Sequence, residues 1–186
     1  MIYQGEIEGA KISLRAVAIE DCNDTYLRWL NNPNVNKFLE TRWSTQTLDS
    51  IISFVEDIRQ SDHSYLFAIT ISEGANGCAR HIGNIKIGPI HPFYAYADIS
   101  YFIGEEDCWG KGIATEAITL ICKFGFEGLG LHKIQAGVFG KNIGSIKALK
   151  RAGFINEGCL RDQLYTFDNV DDHLYLGILR EELIKV

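Results

Sequence analysis

Apolar and polar positions follow two different periods on either side of position 104, near the middle of the chain. From Asp98 to Ile103 they alternate, with Ile99, Tyr101 and Ile103 on one side and Asp98, Ser100 and Phe102 on the other, and a period of two predicts a β-strand. From position 113 to position 123 apolar residues recur every three or four positions, which predicts an amphipathic α-helix with one buried stripe. That stripe consists of Ala114, Ala117, Ile118, Ile121 and Cys122.

The rest of the chain predicts further elements of both kinds. Helices are expected at positions 20–30, from 44 or 45 to 60, and from the capping residue 142 to the glycine at 153. Strands are expected at 11–16, 65–71, 81–90, 133–138, 154–160 and 173–178, with a hairpin-like loop from Glu73 to Arg80. The pattern predicts a single α/β (α+β) domain over residues 1–186, with a mixed, mostly antiparallel central sheet of about six or seven strands and about four flanking helices.

The central strand and helix are joined by WGKGIA at positions 109–114. Glycines there let backbone N–H groups face outward without a side chain in the way, and the first amides of a helix suit an anion such as phosphate. Two known phosphate motifs do not fit: Asn142 follows Gly140 and Lys141 where a P-loop needs Ser or Thr, and Thr115 replaces the third glycine of a dinucleotide fingerprint. The turn alone therefore leaves open whether it binds a ligand or only joins two elements.

A second motif lies downstream, where Asn142 and Ser145 precede ALKRAGF at 148–154. Together the two motifs resemble the Gcn5-related N-acetyltransferase (GNAT) superfamily, and within it the branch that acetylates ribosomal-protein N-termini and assorted small amines. Gly112 and Ala114 match the last two places of that family's Q/R-x-x-G-x-G/A loop, whereas Trp109 stands where Gln or Arg is usual. The resemblance covers most of the chain and implies the GNAT fold.

The resemblance also implies acetyl-CoA as co-substrate, with its pyrophosphate on the turn. The residues implied to bind it there are Trp109, Gly110, Lys111, Gly112, Ile113, Ala114 and Thr115. The pantetheine arm is expected to pair with the strand edge at Tyr101 and Ile103, as an added strand would. A backbone N–H near Ile103 is expected to hold the carbonyl oxygen of the thioester, and Asn142 and Ser145 are expected beside the arm.

The resemblance also implies candidate catalytic residues, although one usual family position is occupied by a different residue here. Many members use a tyrosine five residues before the Phe of the G-F pair, and that position is Leu149 here. Ser145 is the nearest matching hydroxyl and is expected to give a proton to the departing thiolate, although a serine in a first helical turn also bonds to its own backbone. Asp98 matches the acidic base of several relatives, and it is equally typical of a solvent-facing strand carboxylate.

The segment from position 35 to 43 is aromatic and charged and has no regular period. In the resembled family this region forms one wall of the acceptor cleft. Phe38, Glu40, Arg42 and Trp43 are therefore implied to contact the substrate. A packed connector without a ligand is the alternative.

The composition and charge of the chain limit the classes of binding partner that are expected. The chain of 186 residues has a net charge of −6, which argues against nucleic acid as the main partner. Positions 128–156 nevertheless carry only basic charges, and this window follows the turn, so it is a candidate to face phosphates.

No apolar run reaches the ~20 residues of a membrane helix, and no secretory signal starts the chain. The five cysteines lack a C-x-x-C motif and indicate free thiols in a reducing cytoplasm, and no histidine spacing suggests a metal.

These patterns predict a cytoplasmic, acetyl-CoA-dependent N-acetyltransferase that acts on a primary amine of a small molecule, with an amino sugar nucleotide as one candidate. The N-terminus of a ribosomal or other protein is the alternative acceptor. A non-catalytic CoA-binding module is the alternative of another class, because Leu149 and Trp109 depart from the family pattern. Neither nucleic acid nor a membrane is expected as a partner, and a homodimer is left open.

Overall fold

The computed structural model describes residues 5–73, 78–167 and 169–183, which form one mixed sheet covered by helices on both faces. The tip of the loop predicted between positions 73 and 80 lies outside the described residues. Over the described residues the sheet has 8 strands in the order β1-β2-β3-β4-β5-β6-β8-β7. Neighbouring strands are antiparallel except β5 and β6, which are parallel. The strands are β1 (Glu6–Glu8), β2 (Ser13–Ala16), β3 (Tyr65–Glu73), β4 (Cys78–His91), β5 (Tyr96–Ile103), β6 (Lys133–Phe139), β7 (Ile155–Tyr165) and β8 (Val170–Leu179).

The described chain also forms five α-helices: α1 (Asp24–Asn31), α2 (Pro33–Asn36), α3 (Leu48–Gln60), α4 (Ile113–Lys123) and α5 (Ile143–Arg151). The predicted α/β architecture with a mostly antiparallel sheet is confirmed. The short strand β1 and the single-turn helix α2 are additional to the elements that the sequence pattern predicted. No helix of the described residues is long and apolar enough to cross a membrane.

Helix boundaries differ from the prediction where a side chain caps the helix more effectively. The helix predicted from position 44 or 45 begins at 48, because the Thr47 hydroxyl accepts from the Ser50 N–H (3.2 Å) and Ser50 Oγ accepts from the Thr47 N–H (3.0 Å). The helix predicted from position 20 begins at 24, where Asn23 Oδ1 accepts from the Thr25 N–H (3.0 Å). Asn32 caps α2 in the same way and places Pro33 in its first turn.

Apolar side chains project from both faces of the sheet and form two hydrophobic cores. On one face α4 and α5 pack against β4 to β6 and β8, and Ile118 and Ile121 of α4 are fully buried. On the other face α1 and α3 pack against β3, with Trp29 and Val55 buried. Each such side chain contributes roughly 1.5–3 kcal/mol when buried, so α4 is held firmly on the sheet. This anchoring fixes the position of the turn at its N-terminus.

The two parallel strands in the middle of the sheet separate part of the way along their length. β5 and β6 are paired only from Tyr96 to Asp98, opposite Lys133 to Gln135. Beyond these residues β5 remains paired with β4, and β6 remains paired with β8, but β5 and β6 no longer pair with each other. This splay leaves one edge of β5 open in the interior of the sheet.

Candidate active site

A cavity of about 530 Å³ lies at the splay, between the end of β5, the turn before α4, the start of α5 and the segment around α2. It brings together many of the residues proposed from the sequence. Those that line it are Phe38, Tyr101, Ile103, Trp109, Gly110, Gly112, Ile113, Ala114, Thr115, Asn142 and Ser145. Lys111, Asp98, Glu40, Arg42 and Trp43 do not line it.

The turn before α4 presents open backbone. Gly110 and Gly112 have φ values of 75° and 83°, in the left-handed region that favours glycine. A Cβ at Gly110 would meet no atom within 4 Å, and one at Gly112 would meet only Lys11 Nζ, at 3.7 Å. The first helical hydrogen bond of α4 is made by the Glu116 N–H, which donates to the carbonyl of the capping residue Gly112 (3.1 Å). The preceding amides and the positive end of the helix dipole therefore face a space that an anion can fill.

Lys11 is a second source of positive charge at the turn, and the sequence analysis did not identify it. Its Nζ donates to the Lys111 carbonyl (3.2 Å), and its backbone N–H donates to Glu116 Oε1 (2.8 Å). Glu116 is thus engaged in holding the start of β2 against α4. Lys11 comes about 100 residues before the turn, so no local motif indicates that the two meet.

Other cations also surround the cavity. Lys37, Lys141, Lys147 and Arg151 line it, whereas no Asp or Glu is found among its described lining residues. Three of the five basic residues in the window at 128–156 are therefore at the cavity. Lys133 of the same window instead pairs with Glu157 (2.7 Å). A cavity of this charge is suited to a ligand with several phosphates.

The open edge of β5 offers backbone groups to the cavity. The Gly104 N–H donates to the Ile82 carbonyl (2.8 Å), and the register continues with Gly83 opposite Ile103. Because hydrogen-bonded pairs alternate along an antiparallel ladder, the N–H and C=O of Tyr101 and Ile103 point away from β4 and towards the splay. An extended chain placed in the splay could pair with them as a further strand.

Trp109 uses one of these groups. Its indole Nε1–H donates to the Ile103 carbonyl (2.9 Å), which ties the turn to the end of β5. The Ile103 N–H is left facing the splay, together with the N–H and C=O of Tyr101. Trp109 is the residue at which the sequence departs from the family loop, and this contact shows what it does in the fold.

Two hydroxyl groups meet inside the cavity. Tyr101 Oη lies 2.8 Å from Ser145 Oγ and 3.3 Å from the Ser145 carbonyl oxygen. Burial raises the pKa of Tyr101 to about 12, and the hydrogen bond with Ser145 opposes this shift only in part. Tyr101 is therefore protonated at neutral pH and can donate. Asn142 Oδ1 accepts from the Ser145 N–H (3.2 Å) and caps α5, while Leu149 is fully buried in the core.

Asp98 lies at the fork where β5 and β6 separate. Its Oδ1 accepts from Gln135 Nε2 (3.0 Å), across the last pair of the two strands. It points to the sheet face opposite α4, since its neighbours Ala97 and Ile99 belong to the core on the α4 side. On the same face Lys86 of β4 is half buried; burial lowers its pKa, and the charge of Asp98 opposes that shift.

Two of the four predicted substrate residues, Phe38 and Arg42, follow α2 in the chain and contact β6 and β7. The Phe38 ring packs on Phe139 of β6 (5.6 Å between centroids) and also lines the cavity. The guanidinium of Arg42 is buried and donates to the Leu39 carbonyl (2.7 Å) and the Tyr165 carbonyl (2.8 Å), so it joins this segment to the end of β7.

The two remaining members of that set lie nearer the surface. The ring of Trp43 packs on Phe167 (5.3 Å between centroids). The side chain of Glu40 is 77% exposed, and its carboxylate is close enough to His173 of β8 for its charge to raise the pKa of that imidazole. The sequence analysis did not single out His173.

Comparison with known proteins identifies the family. Residues 11–155 match the family model described as an acetyltransferase (GNAT) domain. The chain therefore belongs to the GNAT acetyltransferases, and it is an N-acetyltransferase by class. The resemblance noted in the motifs WGKGIA and N-x-x-S is confirmed.

Three relatives illustrate the range of this similarity. The probable N-acetyltransferase YjcK of Bacillus subtilis (strain 168) is 41% identical over 125 residues, which cover 66% of each chain. The structure of Mycobacterium smegmatis RimJ in complex with CoA-disulfide has a TM-score of 0.77 at 25% identity and covers 94% of this chain and 84% of that one. The spermidine N-acetyltransferase from Vibrio cholerae, in complex with CoA and spermine, has a TM-score of 0.80 at 22% identity and covers 94% of this chain and 98% of that one.

Proposed function

We propose that this N-acetyltransferase uses acetyl-CoA and transfers the acetyl group to a primary amine of a small molecule. The observation that carries the proposal is one cavity with three features: exposed turn amides at its mouth, cations around it and a hydroxyl pair inside. The structures of RimJ with CoA-disulfide and of the spermidine N-acetyltransferase with CoA and spermine support the choice of co-substrate.

The residues at the mouth fit the phosphates of acetyl-CoA. The amides from Gly112 to Thr115 are proposed to hold the pyrophosphate, with Gly110 and Gly112 leaving room for it. Lys11 adds a charge on the β2 side of the turn, and Lys147 and Arg151 of α5 add charges on the other side. The backbone of Tyr101 and Ile103 is proposed to pair with the pantetheine arm.

Acetyl-CoA supplies an activated acetyl thioester, and the chain supplies proton transfer and charge stabilisation. The Ile103 N–H is proposed to donate to the thioester carbonyl oxygen as it gains negative charge. Ser145 Oγ is proposed to protonate the departing sulfur. When the Tyr101 hydroxyl donates to Ser145 Oγ, the Ser145 proton is free to point into the cavity. This pair performs the task for which many relatives use a tyrosine at the place of Leu149.

The acceptor is proposed to approach from the opposite sheet face, past Asp98 at the fork and the wall that contains Phe38 and Glu40. The carboxylates of Asp98 and Glu40 suit a cationic amine on this side. The named activity of the spermidine N-acetyltransferase supports a small polyamine, and an amino sugar nucleotide stays a candidate. The relative named as a putative ribosomal N-acetyltransferase, YdaF of Bacillus subtilis (strain 168), supports the second candidate, the N-terminus of a ribosomal or other protein.

The test is release of free CoA thiol in the presence of three acceptor sets: polyamines, amino sugar nucleotides and peptides with free N-termini. Mass spectrometry of the product gives the site of acetylation, and calorimetry measures CoA binding separately. A kcat/KM at least tenfold higher for a small amine than for any peptide is expected. A higher kcat/KM for peptides would reject the small-molecule acceptor, and CoA binding without turnover of any acceptor would favour a non-catalytic module.

A further inference from the structure

His173 is a basic side chain on the acceptor side of the sheet, and it has no part in the mechanism above. It lies on β8 opposite Phe139 of β6. The alternate residues Leu174 and Leu176 of β8 pack into the core with α4, so the imidazole projects to the other face, which also carries Asp98 and Gln135. The imidazole is thus one strand away from the splay.

A glycine in β6 allows the ring to lean towards the splay. A Cβ at Gly137 would overlap with His173 Nε2 and lie 3.1 Å from Cε1, so the imidazole occupies the space in which any other residue at 137 would place its side chain. Gly137 is two residues beyond Gln135, the last residue of β6 that pairs with β5. A glycine inside a strand commonly marks such a close approach.

The hydrogen bonding of the ring fixes which nitrogen is basic. His173 Nδ1 lies 2.8 Å from Gln163 Oε1 of β7. An amide oxygen only accepts, so Nδ1 carries the proton and Nε2 of the neutral ring keeps its lone pair. Among the described residues no group donates to or accepts from Nε2. The basic nitrogen is therefore the one over Gly137, on the side of the splay.

The charges around the ring leave it neutral near pH 7. Burial lowers the pKa of His173, and the charge of Glu40, from the segment after α2, opposes that shift only in part. Gln163 from β7 is uncharged, and the groups packed from β6 and β8 are Gly137, Phe139 and the Tyr175 ring (4.4 Å between centroids). A neutral imidazole is the form that can accept a proton.

We propose that His173 is the general base that removes a proton from the ammonium form of the acceptor before acetyl transfer. This inference rests on the proposed function and adds a catalytic residue to it. One proton passes from the ammonium to His173 Nε2 and later to water. The neutral nitrogen then forms a bond to the acetyl carbon as the carbon–sulfur bond breaks, the sulfur takes a proton from Ser145, and the second nitrogen proton replaces the one that left Ser145.

The proposal predicts a specific pH dependence. kcat/KM should fall at low pH with an apparent pKa below the ordinary histidine value of 6.5, and His173→Gln should remove this acid limb and lower kcat/KM about 10²-fold at pH 7. Two variants should shift the apparent pKa of this acid limb while keeping the imidazole. Gln163→Glu should raise that pKa, because a nearby carboxylate favours the imidazolium, and Glu40→Gln should lower it. His63→Gln, at an exposed histidine before β3, is the matched control and should leave the profile unchanged.

A readout on the free protein accompanies the kinetics. NMR titration of the His173 ring should give a pKa below 6.5 that moves up in Gln163→Glu and down in Glu40→Gln, and nitrogen shifts should show the proton on Nδ1. Turnover with an acid limb that persists in His173→Gln, or that disappears in Asp98→Asn instead, would overturn the role of His173 alone. Absence of turnover with every acceptor would overturn the proposed function.

Discussion

The turn before α4 can be tested with one substitution that changes its charge while changing the fold little. In Gly112→Asp a carboxylate replaces open space at the cavity mouth. Gly112 has a φ of 83°, and a non-glycine residue there costs about 1–2 kcal/mol of stability. The new Cβ would lie 3.7 Å from Lys11 Nζ, so attraction between the two side chains offsets part of that cost. We expect the unliganded protein to lose only a few degrees in Tm.

The effect on a bound diphosphate is much larger. Two unit charges 4 Å apart repel by about 1 kcal/mol in water and about 4 kcal/mol at the effective dielectric near a protein surface. A diphosphate carries more than one such charge, so Gly112→Asp should weaken CoA binding at least about tenfold even at the lower limit. The substitution also removes the close approach of the ligand to the backbone.

Thermal unfolding with and without CoA measures both effects. At a CoA concentration 100 times Kd the wild type gains about 2.7 kcal/mol, which corresponds to a rise in Tm of roughly 5–10 °C for a chain of this size. Gly112→Asp should show little or none of this rise. Gly130→Asp is the matched control, because Gly130 has a φ of 71° and an equally open Cβ position away from the cavity. Equal CoA-induced shifts in the two variants would refute the assignment of the turn.

Three further predictions follow from other contacts. Ser145→Ala should lower kcat about 10²-fold with little change in CoA affinity, and adding Tyr101→Phe to it should cost little more, since the hydroxyls act as one unit; additive losses in kcat would contradict the pair. Trp109→Phe keeps the ring but removes the donor to the Ile103 carbonyl, and should raise KM for acetyl-CoA several-fold while Tm falls by no more than a few degrees; an unchanged KM would show that the contact does not position the turn. Burial alone would raise the pKa of Asp21, but its hydrogen bonds from Arg15 and from the Ala18 N–H hold it below the ordinary 3.8. The contribution of Asp21 to the free energy of unfolding is therefore present above pH 3.8 and lost as the pH falls through the folded pKa. Asp21→Asn should reduce that free energy by about 2 kcal/mol at pH 7, and urea titrations at successively lower pH should show the difference from the wild type shrinking.

The central unit was predictable because its information is local. The alternation from Asp98 to Ile103, the glycines at 110 and 112 and the apolar stripe of α4 all lie within 26 residues of sequence. Each feature has a direct structural reason: a period of two for a strand, positive φ for the turn and a period near 3.6 for the helix. The cavity forms around this unit.

The rest of the site depends on contacts that are distant in sequence. Lys11 reaches the turn from the segment before β2, and the His173 ring of β8 lies over Gly137 of β6. The splay itself is a matter of register between β5 and β6, which no pattern within either strand specifies. Arg42 shows the same limit: nothing in its local sequence indicates that its guanidinium is buried and donates to the Tyr165 carbonyl, 123 positions away.

The two departures from the family pattern occur at places where the fold provides a replacement. Leu149 is buried in the core, and the hydroxyl that we propose in place of the usual tyrosine is held by β5, because Tyr101 reaches across the splay to Ser145. With Trp109 at the head of the loop, the indole N–H occupies the Ile103 carbonyl and leaves the Ile103 N–H open. Both contacts involve the same few residues at the end of β5, so the strand edge that is proposed to receive the pantetheine arm also positions Ser145, the proposed proton donor. A substitution that moved β5 relative to α5 would therefore reduce CoA affinity and kcat together, whereas changes at Ser145 alone should affect only kcat.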